Sequence, residues 1–588
     1  MNKIFRNGLM MLAAGALAVS CADYNDLGGF TATPDPSYTN EYGDLRAVKS
    51  YINRTDFPNM ALQASVDLTT FNKQGLDHAM AVTNFDGVDF GYSFMPDQYV
   101  SKKGYMNFMA LKDAIGHASS INFPIYGSPI VANEQQSDVW FEALTAPIEI
   151  QVLPIMDTDV DYTTMDEWHG TAISGKPAIE KNFDDKGNAL MVPKRAKVYI
   201  VEGFDLDPQG FYTVSFVVRG YKDNKRKEME KDETIYCTFA DSLINTGKDK
   251  DGNLIRKGFT IRPGVQQTVK VEWVPAKAAT KGYLMIEGNV NAILYIRSVH
   301  VEHTPDNHRP QTKEEMNDTI QYALRKWCDG LMEANAGRIK TFDLVDKALD
   351  SKAVLDGVTY EGENVLDLKH STDKIFWQDY LEEGGKTGSE LYAATVSKVA
   401  KAAFEKYGGN GDELKFFISE TGLENKQRMA SLKYWIETWK NNGAQIDGIN
   451  AELDLSYSED AATQAENVKQ LNDLLDNLKS TGLQIRIYNF DIKYLDADGA
   501  KVTADIITKE QRQNLANYNA EVIRAYMSKI PADKQAGICK GNFFDASNGG
   551  KPGTGDPVGL WSINGSKDWV RNATYEAFCK AFENVSGK

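Results

Sequence analysis

The chain lacks an excess of positive charge. Among its 588 residues, 65 are lysine or arginine and 82 are aspartate or glutamate, which gives a formal net charge of −17 at pH 7. Proteins that bind nucleic acids hold the phosphates through a cationic surface, so this balance argues against a nucleic acid partner. An acidic surface is compatible with an uncharged ligand such as a polysaccharide, but it does not select one.

Motifs that bind cofactors or metals are also missing. The sequence contains no phosphate-binding P-loop and no dinucleotide fingerprint, and its 7 histidines form no H-E-x-x-H motif. Cys237, Cys328, Cys539 and Cys579 are scattered without C-x-x-C spacing, which favours buried free thiols over metal ligands or disulfides. The sequence therefore implies no cofactor and no metal site.

Long hydrophobic runs are confined to the N-terminus, where an apolar run from Leu9 to Val19 follows Lys3 and Arg6. This run has the ~7–15 residues of a secretory signal and is shorter than the ~20 residues of a membrane-spanning helix. We therefore predict a signal peptide at residues 1–20.

The segment from Leu17 to Cys21 reads L-A-V-S-C and resembles a bacterial lipobox, in which the cysteine is lipidated after cleavage. An ordinary signal peptide with an incidental cysteine is the alternative. Residues 21–40 contain glycine and proline without periodicity, which indicates a flexible tether. These features predict an exported outer-membrane lipoprotein anchored through Cys21, at the cell surface or, alternatively, facing the periplasm.

The rest of the chain has the composition of a folded protein, with 42% hydrophobic and 25% charged residues. Strand-like apolar runs alternate with amphipathic helical stretches in residues 41–144 and again in residues 306–588. One predicted helix places Ile320, Leu324 and Trp327 on a single face. Three strand and helix pairs in the first segment and five in the second predict a (β/α)8 TIM barrel, an α/β fold.

Several predicted elements of the barrel become important below. Residues 71–81 and 568–582 are predicted as helices, and residues 82–90 and 483–492 are predicted as continuous strands. Between the two parts of the barrel, residues 145–305 show only short alternating β-type segments separated by polar turns. This segment predicts a β-sandwich, jelly-roll-like, inserted after the third barrel strand.

An ordered series of motifs carries a family resemblance. Residues 325–332 read R-K-W-C-D-G-L-M and residues 376–380 read F-W-Q-D-Y, and the strand-like runs 414–418, 446–449 and 484–487 follow in order. In this order the chain resembles glycoside hydrolase family 10, the retaining endo-xylanases. The inserted segment is similar to the carbohydrate-binding modules that interrupt some xylanases of the Bacteroidetes.

The resemblance breaks at the two catalytic positions. Retaining glycosidases need two carboxyl groups ~5–5.5 Å apart, one as nucleophile and one as acid/base. The family's acid/base glutamate ends a W-D-V-V-N-E pattern on the fourth strand, where this chain reads F-D-L-V-D followed by Lys347. The nucleophile glutamate lies on the seventh strand, where this chain has Asn489. We therefore expect no intact catalytic pair.

These substitutions favour a glycan-binding protein on a degenerate, catalytically inactive barrel, acting in the capture and utilisation of a xylan-type polysaccharide. Sugar faces stack on aromatic rings. Candidate rings are Trp168, Tyr221, Tyr236 and Trp273 in the inserted segment, and Tyr92 and Trp140 at the barrel mouth. The alternative for each ring is a core position, which is favoured for Trp273, whereas a surface position is favoured for Trp168.

An active endo-1,4-β-xylanase-like hydrolase with relocated carboxylates is the competing hypothesis. Glu452 and Asp454 could supply a substitute pair, with Glu420 and Asp491 at neighbouring strand ends. Lys347 beside a carboxylate could titrate low enough to act as a base. A third possibility is a structural partner in an outer-membrane glycan-uptake complex, which the sequence does not address.

Overall fold

The computed structural model describes residues 42–207, 209–240, 256–275, 280–565 and 567–585. The predicted signal peptide, the tether and its lipidation site Cys21 lie outside these residues. The chain divides into two compact units, one formed by Met1–Thr145 with Thr312–Lys588 and the other by Ala146–Gln311.

Within the described residues, the first unit contains eight parallel strands. They are β1 (Leu62–Ser65), β2 (Gly87–Asp89), β3 (Ile125–Tyr126 with Val131–Ala132), β4 (Thr341–Asp346), β5 (Lys415–Thr421), β6 (Gly448–Glu452), β7 (Gln484–Tyr488) and β8 (Gln535–Lys540). Each strand pairs with the next, and β8 pairs with β1.

Gly127 lies between the two segments of β3 and joins β3 to β4 by backbone hydrogen bonds. Its amide donates to the carbonyl of Thr341 at 2.8 Å, and its carbonyl accepts from the amide of Asp343 at 3.1 Å. A Cβ at Gly127 would lie 2.1 Å from the ring of Phe342, so only glycine permits this close approach of the strands. The predicted eight-stranded barrel is confirmed.

Helices surround the barrel strands. They are α1 (Leu68–Asn72), α2 (Leu76–Asn84), α3 (Met109–Ser120), α4 (Asp138–Leu144), α5 (Lys313–Asn335), α6 (Gly388–Lys406), α7 (Lys426–Asn441), α8 (Ala461–Ser480), α9 (Lys509–Lys529) and α10 (Ala573–Val585). Capping boxes that begin at Thr312, Thr387 and Thr508 fix the starts of α5, α6 and α9. Ile320, Leu324 and Trp327 are fully buried on α5, as predicted.

Three strand pairs extend from the loops that follow the barrel strands. An antiparallel hairpin of Leu349–Tyr360 and Glu363–Leu368 follows β4 directly. Leu455–Ser458 pairs in parallel with Ile492–Leu495 beyond β6 and β7, and a hairpin follows β8, formed by Trp561–Ile563 and Trp569–Arg571. These loops lie at the carboxyl end of the barrel.

The second unit consists of antiparallel sheets. In one sheet, neighbouring strands follow one another in the order Arg256–Ile261, Glu233–Ala240, Lys281–Glu287, Lys197–Asp205 and Ala172–Ser174. In the other, the order is Gln267–Trp273, Phe211–Tyr221, Ile293–Thr304, Ala189–Val192 and Ala178–Glu180, with Ile155–Asp161 also paired to Ile293–Thr304. His308–Arg309 pairs with Ile148–Glu149. Alternate residues of both sheets, such as Ile200 and Val214, bury their side chains in one common core.

Two further observations concern the whole described chain. Cys237, Cys328, Cys539 and Cys579 are free and buried, as predicted. In the part of the chain that the structure describes, no helix combines the length and the apolar character that crossing a membrane requires.

Candidate functional site at the carboxyl end of the barrel

Five polar side chains from four barrel strands lie at the carboxyl end of the barrel. Asp346 is the last residue of β4 and Lys347 follows it, Glu452 is the last residue of β6, Asn489 follows β7, and Tyr92 lies in a helical turn just after β2. Catalytic and binding residues of TIM barrels occupy this face. We refer to these five residues as the mouth cluster.

Glu452 connects Lys347 and Asn489, the two residues that we predict to occupy the catalytic positions of the family. The Lys347 ammonium Nζ lies 2.6 Å from Glu452 Oε2, and the Asn489 amide Nδ2 donates to Glu452 Oε1 at 3.2 Å. Both oxygens of this carboxylate are therefore engaged by protein donors. The structure brings these three predicted residues together, but in an ion pair rather than in a pair of carboxyl groups.

Tyr92 and Asp346 extend the cluster toward β2. The Tyr92 hydroxyl donates to Asp346 Oδ2 at 2.6 Å, and Lys347 Nζ lies 5.6 Å from the centroid of the Tyr92 ring. A cation at this distance from an aromatic face is attracted by the ring. Lys347 is thus held between two carboxylates and one ring.

The backbone at Lys347 and Asn489 is unusual. Lys347 has a φ of 46° and Asn489 a φ of 53°, in the left-handed region that residues other than glycine rarely adopt. Asparagine tolerates this region and lysine does so less readily. The amide of Lys347 donates to the carbonyl of Ser419 at 2.9 Å, which fixes this conformation at the end of β4.

The surroundings of Lys347 keep it charged. Burial lowers the pKa of Lys347, but the neighbouring carboxylates of Asp346 and Glu452 raise it, and the net direction is upward. The hypothesis that Lys347 titrates low enough to act as a base is therefore wrong. Burial raises the pKa of Asp346, although the Lys347 ammonium opposes that shift.

Glu452 and Asp454 interact with different lysines. Asp454 Oδ1 lies 2.7 Å from Lys493 Nζ, and its side chain is 78% exposed, whereas the side chain of Glu452 is 18% exposed. The predicted substitute pair therefore has one carboxylate within the mouth cluster and one on the surface, each neutralised by its own ammonium group.

Glu420 and Asp491 also have structural partners. Glu420 is buried and accepts from Arg428 Nη2 at 2.6 Å. Asp491 contacts the buried ammonium of Lys540 and accepts from Asn542 Nδ2 at 2.7 Å. These carboxylates stabilise the loops at the barrel mouth.

Arg486 forms a charged layer inside the barrel, beneath the mouth cluster. It is fully buried on β7 and donates to Asp89 Oδ2 at 2.8 Å, to Asn450 Oδ1 at 3.0 Å and to Gln63 Oε1 at 2.9 Å. Its guanidinium also lies 3.7 Å from the ring centroid of Tyr126. Branched apolar side chains usually fill this interior, and the sequence analysis missed this polar layer.

Asp343 on β4 belongs to the same layer. It accepts from the Tyr126 hydroxyl at 2.8 Å and from Asn450 Nδ2 at 2.8 Å. Burial raises the pKa of Asp343 to about 8, although Arg486 opposes the shift. The raised pKa favours the protonated form of this carboxyl, which carries no negative charge inside the barrel.

Three of the predicted aromatic residues are core residues. Trp140, Tyr221 and Trp273 are 1%, 4% and 2% exposed. Trp140 and Trp273 stack on Phe141 and Phe239, with ring centroids 5.6 Å and 4.7 Å apart. No sugar can stack on a ring enclosed in this way, so the prediction that these three residues bind glycan is corrected.

The other predicted rings are half-buried. Tyr92 belongs to the mouth cluster, and Trp168 packs in part against the core of the second unit. The guanidinium of Arg256 lies 3.7 Å from the centroid of the Tyr236 ring and covers one of its faces. Among the described residues, no group of three or more histidine, cysteine, aspartate or glutamate side chains is placed to hold a metal ion.

Comparison with known proteins relates one part of the chain to a family. Residues 300–545, which include β4 to β8, match the family model of Glycosyl hydrolase family 10. The matched segment is less than half of the chain. It contains Lys347, Glu452 and Asn489, but not Tyr92. No curated protein matches the chain.

Solved xylanase structures are similar over most of the chain. Xylanase B from Clostridium stercorarium F9 shares 10% identity with a TM-score of 0.48, over 91% of this chain and 99% of that one. A GH10 structure from Paenibacillus barcinonensis shares 12% identity with a TM-score of 0.47, over 89% of this chain and 94% of that one.

Proposed function

We propose that this chain is a cell-surface glycan-binding protein built on a xylanase-like barrel that does not hydrolyse its ligand. In this proposal it captures a xylan-type polysaccharide for utilisation by the cell. The observation that carries it is the contact of Lys347 and Asn489 with Glu452. In this proposal the ammonium and the amide stand at the two catalytic positions of the family.

The chemistry of these two groups argues against double displacement. An amide at position 489 does not form the glycosyl ester that a retaining enzyme requires. An ammonium whose pKa is raised does not readily give up a proton to the leaving oxygen near neutral pH. Glu452 is the remaining carboxylate between them, and both of its oxygens are already engaged.

A glycan ligand is supported by the match of residues 300–545 to a glycosidase family. We further propose that the second unit is an inserted carbohydrate-binding sandwich and that the half-buried rings of Trp168 and Tyr236 contact sugar there. Tyr92 is the corresponding candidate at the barrel mouth. Rings of this kind combine an apolar face with a polar edge, as sugar recognition requires.

The location of the protein is part of the proposal. The lipobox-like segment that ends at Cys21 supports an outer-membrane lipoprotein exposed at the cell surface. A tether of about 20 residues would let the folded units reach polysaccharide beyond the membrane. Association with an outer-membrane glycan-uptake complex is consistent with this location.

An active endo-acting hydrolase is the second candidate, and one observation favours it. Asp346 ends β4 next to the family's acid/base position, and burial raises its pKa. A raised pKa is the shift that a carboxyl group needs in order to act as a general acid. In such an enzyme Glu452 would be the second carboxyl group.

The two candidates are separated by native gel electrophoresis through gels cast with xylan, mannan, glucan or pectin. The same polysaccharides are assayed for newly released reducing ends. Retardation relative to a gel without polysaccharide, with no release of reducing ends, supports the binding protein. If the wild type releases reducing ends and the Asp346→Asn or Glu452→Gln variant does not, the chain is a hydrolase.

A further inference from the structure

A groove on the outside of the barrel lies apart from the mouth cluster. It has a volume of about 400 Å³ and is lined by residues that precede or begin α3 and by the last turns of α5. The lining residues are Met106, Asn107, Phe108, Met109, Lys112, Asp113, Gly330 and Glu333. Its size falls within the ~300–1,000 Å³ of small-molecule sites.

The segment 104–109 forms one wall by running along α5. A Cβ at Gly104 would lie 2.8 Å from Lys326 Nζ, and a Cβ at Gly330 would lie 2.7 Å from Met106 Sδ. Residues 326 and 330 are neighbours on one helix face. The missing side chain at Gly330 therefore lets the segment approach the helix and gives the groove its shape.

The groove combines an apolar floor with a polar rim. Phe108 is 7% exposed and forms part of the floor. Asn107, Lys112, Asp113 and Glu333 are exposed around it. Charges of both signs stand side by side on this rim, so the groove does not favour an anionic or a cationic ligand.

Two exposed tyrosines belong to the two chain segments that line the groove, the segment before α3 and the helix α5. Tyr105 is 75% exposed and Tyr322 is 49% exposed, and within the described residues they are the only exposed aromatic side chains apart from histidine. Tyr105 directly precedes the lining residue Met106. Tyr322 lies one turn before Lys326, whose Nζ is 6.0 Å from the Tyr322 ring centroid. Aromatic rings exposed to water beside a polar rim are well suited to stacking on sugar faces.

We propose that this groove is a second glycan site, which binds a neutral polysaccharide chain along α5, outside the barrel mouth. The inference rests on the proposed glycan-binding function. From Tyr322 to Glu333 the site would extend about 16 Å along the helix axis, enough for an extended oligosaccharide segment. Such a site would add avidity to binding at the mouth or on the second unit.

The test compares the full mature chain with a Tyr105→Ala/Tyr322→Ala variant in native gels cast with soluble xylan. We expect each lost ring to weaken retention about fivefold. Tyr105→Phe/Tyr322→Phe should retain binding, since the stacking faces remain. Ile506→Ala, which alters another exposed apolar side chain at 65% exposure, serves as the matched control, and thermal unfolding verifies that all variants fold.

The outcomes separate this inference from the function on which it rests. Retention of the wild type together with clear loss in the double alanine variant supports the groove. Equal retention of both proteins contradicts a glycan site in the groove and leaves the proposed glycan-binding function unaffected. A wild type that no polysaccharide retains, with no reducing ends released, overturns both.

Discussion

At the scale of single residues, Lys347 and Glu452 form an ion pair at the carboxyl end of the barrel, with 2.6 Å between Lys347 Nζ and Glu452 Oε2. The two side chains are 26% and 18% exposed, so neither charge is fully hydrated. Removing one partner leaves the other charge partly buried and unpaired, whereas removing both charges does not.

We therefore expect Lys347→Met to lower the free energy of unfolding by about 1–3 kcal/mol. The double variant Lys347→Met/Glu452→Gln should recover part of that loss, because Glu452 then carries no unpaired charge, whereas Asp346 loses the neighbouring ammonium in both variants. Urea unfolding of the four proteins in the double-mutant cycle measures the coupling. If the loss in free energy of unfolding of the double variant equals the sum of the losses of the two single variants, the ion pair is contradicted.

The raised pKa of Asp343 predicts a pH dependence of stability. The pKa of Asp343 is about 8 in the folded chain, compared with an ordinary value of 3.8. The folded state therefore binds a proton that the unfolded state releases across this interval. The stabilisation is fully present below pH 4 and is lost as the pH rises to 8.

Asp343→Asn should accordingly flatten the decline in the free energy of unfolding between pH 5 and pH 8. Urea unfolding at several pH values measures the slope, and Asp498→Asn at an exposed loop position is the control. Identical slopes for Asp343→Asn and the wild type would show that Asp343 is ionised in the folded protein.

At the scale of elements, the sequence pattern located most barrel strands but not where some of them end. Residues 483–492 were predicted as one strand, yet β7 ends at Tyr488, just before the left-handed residue Asn489. Residues 71–81 form parts of two helices, α1 and α2, since Gln74 has a φ of 52° between them. Hydrophobic periodicity does not report such left-handed positions.

Tertiary contacts explain the other differences. The start of the predicted helix 568–582 is the strand Trp569–Arg571, which pairs with Trp561–Ile563. Residues 82–84 belong to α2 rather than to the predicted strand. The family resemblance selects Lys347 and Asn489 as catalytic positions, which stays a prediction. The role of Arg486 follows only from the structure, where its buried hydrogen-bond partners surround it. An arginine between two isoleucines of β7 was the signal for an inward-facing charge.

The capping box of α6 supplies a prediction at this scale. Thr387 Oγ1 accepts from the amide of Glu390 at 3.2 Å, and Glu390 Oε2 accepts from the amide of Thr387 at 2.8 Å. Thr387→Ala should lower the free energy of unfolding by about 1 kcal/mol, whereas Thr387→Ser should not. Urea unfolding compares them, and equal losses for both variants would contradict a capping role.

At the scale of the whole molecule, a barrel unit and a separate β-rich unit follow a predicted lipid anchor. Cys21→Ala should move the protein from the membrane fraction to the soluble fraction of the cell. Cell fractionation combined with metabolic labelling by a radioactive fatty acid measures this change. Labelling that persists in the alanine variant would place the lipid on another residue.

The central claim is that the chain binds a xylan-type glycan without cleaving it. The most direct test is calorimetric titration of the mature chain with xylohexaose, followed by chromatography of the same sample after prolonged incubation. The account predicts heat of binding and intact xylohexaose. The account would be contradicted if the wild type released shorter xylo-oligosaccharides and the Glu452→Gln variant released none.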